Sequence, residues 1–210
     1  MTSSSQIENE SLFLQLRQAT AHEHEEIQKF VPLQKVQVSL LEYKNFLCAA
    51  LGFYRPLELK LYPFMKEQCD WTAKRQRTPL LVTELEWLGL RIDEQPECNL
   101  LPPIATPAQA WGCLYVFEGS TLGGKLITRH LRTACSELMQ LRETERMPER
   151  MQKQKTFLDP YGADTGQMWK EFCHALTLSQ KRSNDSTMYA QAVIASALQT
   201  FQCFRKWLQQ

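Results

Sequence analysis

The side chains best equipped for chemistry in this chain are four histidines, His22, His24, His130 and His174, together with Arg17, which precedes the first pair. A neutral imidazole binds a transition metal through one ring nitrogen, and a guanidinium pairs with a carboxylate. On a helix Arg17 and His24 project along nearly one line, two turns or roughly 10 Å apart. His22 lies ~200° around from His24, so the His-x-His pair cannot hold one ion from a regular helix. An imidazole at the edge of an apolar face, with a cation two turns along, suits a large flat ligand carrying a metal and an anionic edge. The same pattern also describes a boundary histidine with an ordinary hydrogen-bond partner, beside a solvated arginine.

Glycine placement is the second signal. The chain has 8 glycines, and Gly112, Gly119, Gly123 and Gly124 fall in one apolar segment that follows Pro107. Each interior helical glycine costs about 1 kcal/mol relative to alanine, so such a concentration needs a reason. Gly112, Gly119 and Gly123 lie within ~40° of one another on a helical wheel, bordered by Tyr115, Val116 and Leu126. A bare backbone stripe of this kind admits either a closely packed second helix or a planar ligand. It does not read as a phosphate loop, because Gly124-Lys125 leads to Leu126 and no strand precedes it.

The elements that would carry these groups read as helices throughout. Ser11 opens a run to about Val31 that stops at Pro32, with Leu12, Phe13, Leu16, Thr20, Ile27, Phe30 and Val31 on one side and His24 at its edge. Glu23 falls inside that apolar arc and interrupts it. Ser39 and Glu42 make a capping box for a second helix, which Pro56 should kink or restart before an end near Pro63. Pro79 to Leu90 predicts a short helix and Arg91 to Thr106 a loop. Pro107 starts a long helix to about Leu141, and Gln140 to Lys155 reads as a solvated helix end or connection. Asp159-Pro160-Tyr161-Gly162 is a turn, followed by helices at Thr165 to Leu178 and Thr187 to Leu208. No strand signature appears. The expectation is an all-α, single-domain bundle over residues 11–210, after a disordered tail at 1–10.

Composition narrows the partner. Lys plus Arg is 24 and Asp plus Glu 23, a net charge of +1 that gives no reason to expect nucleic acid. No apolar run approaches the ~20 residues of a membrane span. Met1 to Glu10 has neither a basic nor an apolar stretch, so a cytoplasmic protein with no secretory signal is expected. Seven scattered cysteines (Cys48, Cys69, Cys98, Cys113, Cys135, Cys173, Cys203) include no Cys-x-x-Cys pair and read as free thiols in a reducing compartment.

Three blocks in order resemble the heme oxygenases. Leu16-Arg17-Gln18-Ala19-Thr20-x-x-x-His24 is similar to their amino-terminal signature. Tyr115-Val116-Phe117-Glu118-Gly119-Ser120-Thr121-Leu122-Gly123-Gly124 resembles their distal-helix signature, in the form of the bacterial biliverdin-producing branch. Tyr161-Gly162-x-x-Thr165-Gly166-x-Met168-Trp169 resembles a third block of that branch. The resemblance runs from about Leu12 to Leu208.

The resemblance implies heme sandwiched between a proximal and a distal helix. His24 would be the proximal iron ligand, and Gly119, Gly123 and Gly124 the flexible distal helix over the porphyrin. Arg17 stands where the family carries a basic residue for a propionate, Lys170 aligns near a second such position, and Tyr115 joins the heme-binding set. Ser120 stands where eukaryotic and cyanobacterial members have an aspartate that organises distal water. Heme would be both cofactor and substrate. The implied reaction consumes O2 and electrons from a ferredoxin or an NADPH-dependent reductase, and yields biliverdin, ferrous iron and carbon monoxide. The α-meso product is the family default, and a bilin acceptor is a further conceivable partner. The alternative is a non-catalytic heme-binding or storage protein on the same scaffold. A third class is a helical interaction module using the glycine stripe for packing.

Overall fold

The computed structural model describes residues 11–66, 74–144 and 155–210. The expected tail at 1–10, Cys69, and most of the charged stretch around Pro148 lie outside the described residues. Seven α-helices occur among the described residues: α1 (Leu12–Gln28), α2 (Leu40–Met65), α3 (Thr78–Trp87), α4 (Pro107–Ala134), α5 (Ser136–Thr144), α6 (Thr165–Lys181) and α7 (Ser186–Leu208). No strand occurs among those residues, which is the expected all-α class. None of the described helices is long and apolar enough to cross a membrane.

Local chemistry starts the helices where the sequence suggests. Ser11 Oγ accepts from Leu14 N at the head of α1. Ser39 with Glu42, and Thr106 with Gln109, form complete capping boxes for α2 and α4, with Pro107 in the first turn of α4. Asp185 caps α7 through Met188 N. Each cap satisfies backbone donors that would otherwise lack a partner.

The boundaries differ from expectation at three places, at two of them through tertiary contacts. Helix α1 ends at Gln28, and a 3-10 turn at Pro32–Gln34 follows it. Helix α2 runs unbroken through Pro56 to Met65, with Pro63 inside it, and does not restart. Pro56 has no N–H for the Gly52 carbonyl. The Cys98 N–H donates to that oxygen instead, at 2.9 Å, from the loop that follows α3. A side chain at Gly52 would lie 2.5 Å from Pro96 O, so glycine admits this loop. The third difference is a break at Cys135 that divides the expected long helix into α4 and α5. There Ala134 O accepts from Val38 N at 2.8 Å, and Glu137 accepts from Leu40 N at 2.7 Å. Val38, from the segment between α1 and α2, thus occupies the Ala134 carbonyl that helix continuation would use.

Helix α7 is the spine against which α4 and α1 both pack, and they pack chiefly on it and not on each other. Helices α2 and α6 flank α4 on other sides. The core between them is aromatic: Phe53 stacks on Phe204 at 4.7 Å and Tyr54 on Phe117 at 4.1 Å, while Trp111 contacts Phe172 at 5.7 Å. Rings in such contact are worth about 0.5–1.5 kcal/mol beyond their burial. The result is a rigid backing for two helices, α1 and α4, that face one another across a gap.

Candidate functional site

That gap is a cavity of about 840 Å³, within the range of ligand and cofactor sites. His24 and Arg17 line it from α1, and Tyr115, Gly119, Ser120 and Gly123 line it from α4. The two signals read separately in the sequence therefore converge on one space. His22 does not line it and is exposed, as its wheel position requires.

His24 is presented by a helix face that is locked from behind. Glu23, the residue that interrupted the apolar arc, is buried because it faces α7. There Gln202 Nε2 and Arg205 donate to its two oxygens, at 3.0 and 3.2 Å. The pairing turns Glu23 from a defect in the pattern into an anchor that sets the rotation of α1. His24 itself is exposed to the cavity, with the Phe201 ring edge-on at 6.1 Å. The carboxamide of Gln28, one turn on, lies 3.3 Å from His24 Nδ1 and holds the ring plane.

The four glycines of α4 divide by what a side chain would meet. At Gly112 a Cβ would lie 2.3 Å from Val193 O of α7, so this glycine lets two helices approach. At Gly124 it would lie 2.1 Å from Leu158 O, so this one admits the segment before α6. At Gly119 and Gly123 nothing lies within 4 Å. Those two border the cavity and leave its α4 wall bare backbone. The stripe thus divides: Gly112 serves close helix packing, and Gly119 and Gly123 leave open space beside the cavity. Gly124 lines the cavity as well, but its missing side chain makes room on the Leu158 side.

Polar groups on the wall are few. Ser120 Oγ donates to Phe117 O at 2.7 Å. Tyr54 of α2 also lines the cavity, and burial pushes its phenol up to about 12 against the opposing pull of its hydrogen bond with Ser120 and of the Arg77 charge. Burial likewise raises Tyr115, against a hydrogen bond with Thr20 of α1. Cys173 of α6 faces the same space, its thiol pushed up to about 11 by burial. Lys170 is exposed and is not part of the lining; its neighbour Trp169 is. Lys125 is engaged elsewhere, donating to Gly162 O at 3.0 Å. His130 bonds the Lys35 carbonyl at 2.7 Å, and His174 is exposed; neither lines the cavity.

Behind the Tyr54 side lies a charged cluster for which the sequence holds no separate signal. Glu118, one residue before Gly119, accepts from Arg75 at 2.6 Å, from Arg77 at 3.2 Å and from the Tyr161 hydroxyl at 2.9 Å. Arg77 also donates to Tyr161 Oη at 2.9 Å and lies over its ring, and Arg75 donates to Met168 O at 3.2 Å. Glu58 of α2 accepts the backbone N–H groups of Arg77 and Thr78. Burial disfavours the Arg77 charge, but Glu118 and Tyr161 more than offset it. Of the residues missed, Gln28 was legible as the i+4 neighbour of His24. Tyr54 and the arginines lie far away in sequence, and only the fold brings them here.

No family model matches this chain. Among curated proteins it is similar to a heme oxygenase from Xanthomonas campestris pv. campestris (strain 8004), with 45% identity over 77 residues. That match takes in 33% of this chain and 44% of the relative, less than half of either. Among solved structures it is similar to NO- and CO-bound heme oxygenase from Neisseria meningitidis, with a TM-score of 0.66 and 18% identity over 95% of this chain and 90% of that one. At that identity the likeness is one of fold: the chain has the heme oxygenase fold. The curated relative and the structural neighbour both carry the name heme oxygenase.

Proposed function

From a chain with the heme oxygenase fold and that family's motifs, we propose an enzyme that binds heme between α1 and α4 and opens it oxidatively to biliverdin, releasing ferrous iron and carbon monoxide. The observation that carries this reading is the pairing across one cavity of an exposed imidazole, His24, with backbone that no side chain covers, at Gly119 and Gly123. The residues present fit the group. A flat macrocycle needs one wall without side chains, a nitrogen ligand opposite it and a cation for its anionic edge, and this cavity offers all three.

His24 would bind the iron through Nε2. That requires the proton on Nδ1, which the Gln28 carboxamide accepts once its oxygen end faces the ring, a half-turn of the amide. Arg17 would pair with one propionate, with Tyr115 beside it. Lys170, one residue beyond the lining, would meet only a group projecting out of the cavity. Bound heme supplies the redox centre and is itself the substrate, with O2 and electrons from a ferredoxin or an NADPH-dependent reductase.

The protein's own part is placement and proton handling. Gly119 and Gly123 would let the helix backbone approach the macrocycle and leave no bulk over it, while Gly124 makes room for the Leu158 segment behind. Ser120 replaces the carboxylate that other branches carry, so a hydroxyl is the polar group at that place. Tyr54 of α2, which lines the same cavity, carries a proton at Oη. These two hydroxyls are the groups we assign to ordering water there. A cytoplasmic setting, and a bilin-accepting partner protein, belong to the same proposal.

Hemin titration followed by ascorbate or a reductase tests it. A Soret band of a histidine-ligated complex should form, and reduction in air should convert it to bilin absorption with carbon monoxide released. His24→Ala should abolish the Soret shift. A stable hemin complex that yields no bilin would establish instead the storage reading on this scaffold.

A further inference from the structure

Heme binding leaves the Glu118 cluster unused, and its position suggests a role. Arg75, Arg77 and Glu118 are each about 1% exposed, so three charges are withdrawn from water directly behind the cavity wall. Apolar side chains of similar volume would join these segments at least as stably, because the loss of hydration weighs against a buried ion pair. An ionic cluster with defined donor directions adds a fixed rotation and register.

Helix α4 needs such a fixture. Its cavity face is bare at Gly119 and Gly123, where nothing lies within 4 Å, so no side chain interlocks there. Its rotation has to be set from the other faces. Gly112 does so against α7 and Gly124 against Leu158, on either side of the bare turns. Glu118 supplies the third point, next to Gly119, tied to the 74–78 segment, to Tyr161 and through Arg75 to α6. Tyr54 is coupled to this point as well: its ring stacks at 4.1 Å on Phe117, the residue before Glu118, and it lines the cavity together with Ser120, two residues after.

We propose that Glu118, clamped by Arg75, Arg77 and Tyr161, is a positioning residue that holds the glycine wall and the Tyr54–Ser120 hydroxyl pair in register over the bound ligand. Its functional meaning rests on the heme reading above; its structural consequence does not. A shift in α4 rotation would carry Gly119 and Ser120 off the cavity face together, and would separate Ser120 from Tyr54.

Glu118→Gln tests this, since it keeps the shape and removes the charge that the arginines grip. In the ligand-free protein, amide exchange should rise about tenfold or more at residues 119–124, with α7 unchanged. In the hemin complex, affinity should stay within about threefold, while bilin formation slows by about tenfold or more. The pH midpoint of the Soret band should also move, by about half a unit or more. Tyr161→Phe, which removes one donor and keeps the ion pairs, should shift the same readouts in the same direction by less, and decides the matter if Glu118→Gln does not fold. Unchanged exchange and an unchanged pH midpoint would overturn the proposal. So would exchange raised evenly over all helices with a proportional loss of hemin binding, which is the mark of a general loss of stability. If the unsubstituted protein takes up hemin and makes no bilin, the reading of the reaction fails, and the exchange and pH readouts still judge the clamp.

Discussion

Adding one methyl group to helix α4 has opposite consequences at two glycines on nearly the same face. At Gly112 the methyl would meet the Val193 carbonyl at 2.3 Å, a backbone atom that cannot turn aside. Gly112→Ala should therefore destabilise the fold by about 1–3 kcal/mol in denaturant unfolding. At Gly119 the methyl enters open space. Gly119→Ala should leave stability unchanged or raise it by up to about 1 kcal/mol, through better helix propensity. Its cost should appear in function, as hemin held off its seat and bilin formation slowed by on the order of 10²-fold. Cys173 offers a second test at this scale. With its thiol pushed up to about 11 by burial, little thiolate is present at pH 8. Alkylation by iodoacetamide should run on the order of 10²-fold slower than at an ordinary cysteine, and hemin should block what remains, because Cys173 faces the cavity. Equal labelling with and without hemin would count against the placement of the ligand.

At the scale of elements, the caps act as their sequences suggest, while the boundaries follow the neighbours. The Ser39–Glu42 box is legible from two residues three apart, and it forms. Hydrogen bonds from Lys35 and Ser39 hold the Glu42 carboxyl well below its usual range, at about 2. A depressed carboxylate contributes its stability above the unfolded value of about 4.5 and loses it as pH falls toward the folded one. The melting-temperature difference between the unsubstituted protein and Glu42→Gln should therefore be constant at pH 5–7 and shrink between about 4.5 and about 2. Pro56 illustrates the opposite case. A proline inside a helical pattern argues for a kink, because a carbonyl loses its donor. Here a loop more than 40 residues away supplies that donor through Cys98, and the helix continues. Likewise, no local feature of Cys135 divides α4 from α5; Val38 and Leu40 arrive from another element and take the backbone acceptor and the Glu137 side chain.

For the whole molecule, the cavity is the gap left where α1 and α4 lean on α7 without closing on each other. A ligand that fills it binds the folded state alone, so hemin at 100 times its dissociation constant should stabilise the protein by about 2.7 kcal/mol. A thermal melt with and without hemin checks this, and His24→Ala should remove most of the difference. The division between what was legible and what was not follows from distance along the chain. Helical class, caps, the His24–Arg17 line and the crowding of glycines are periodic or local patterns, set by geometry within a few turns, and the sequence alone determined them. Which glycines face the cavity and which face a neighbouring element, why Glu23 sits in an apolar arc, and that Tyr54, Arg75, Arg77 and Tyr161 gather behind Glu118 were decided only by tertiary structure. A side chain's partner across a core depends on where the chain returns, and no local periodicity records that.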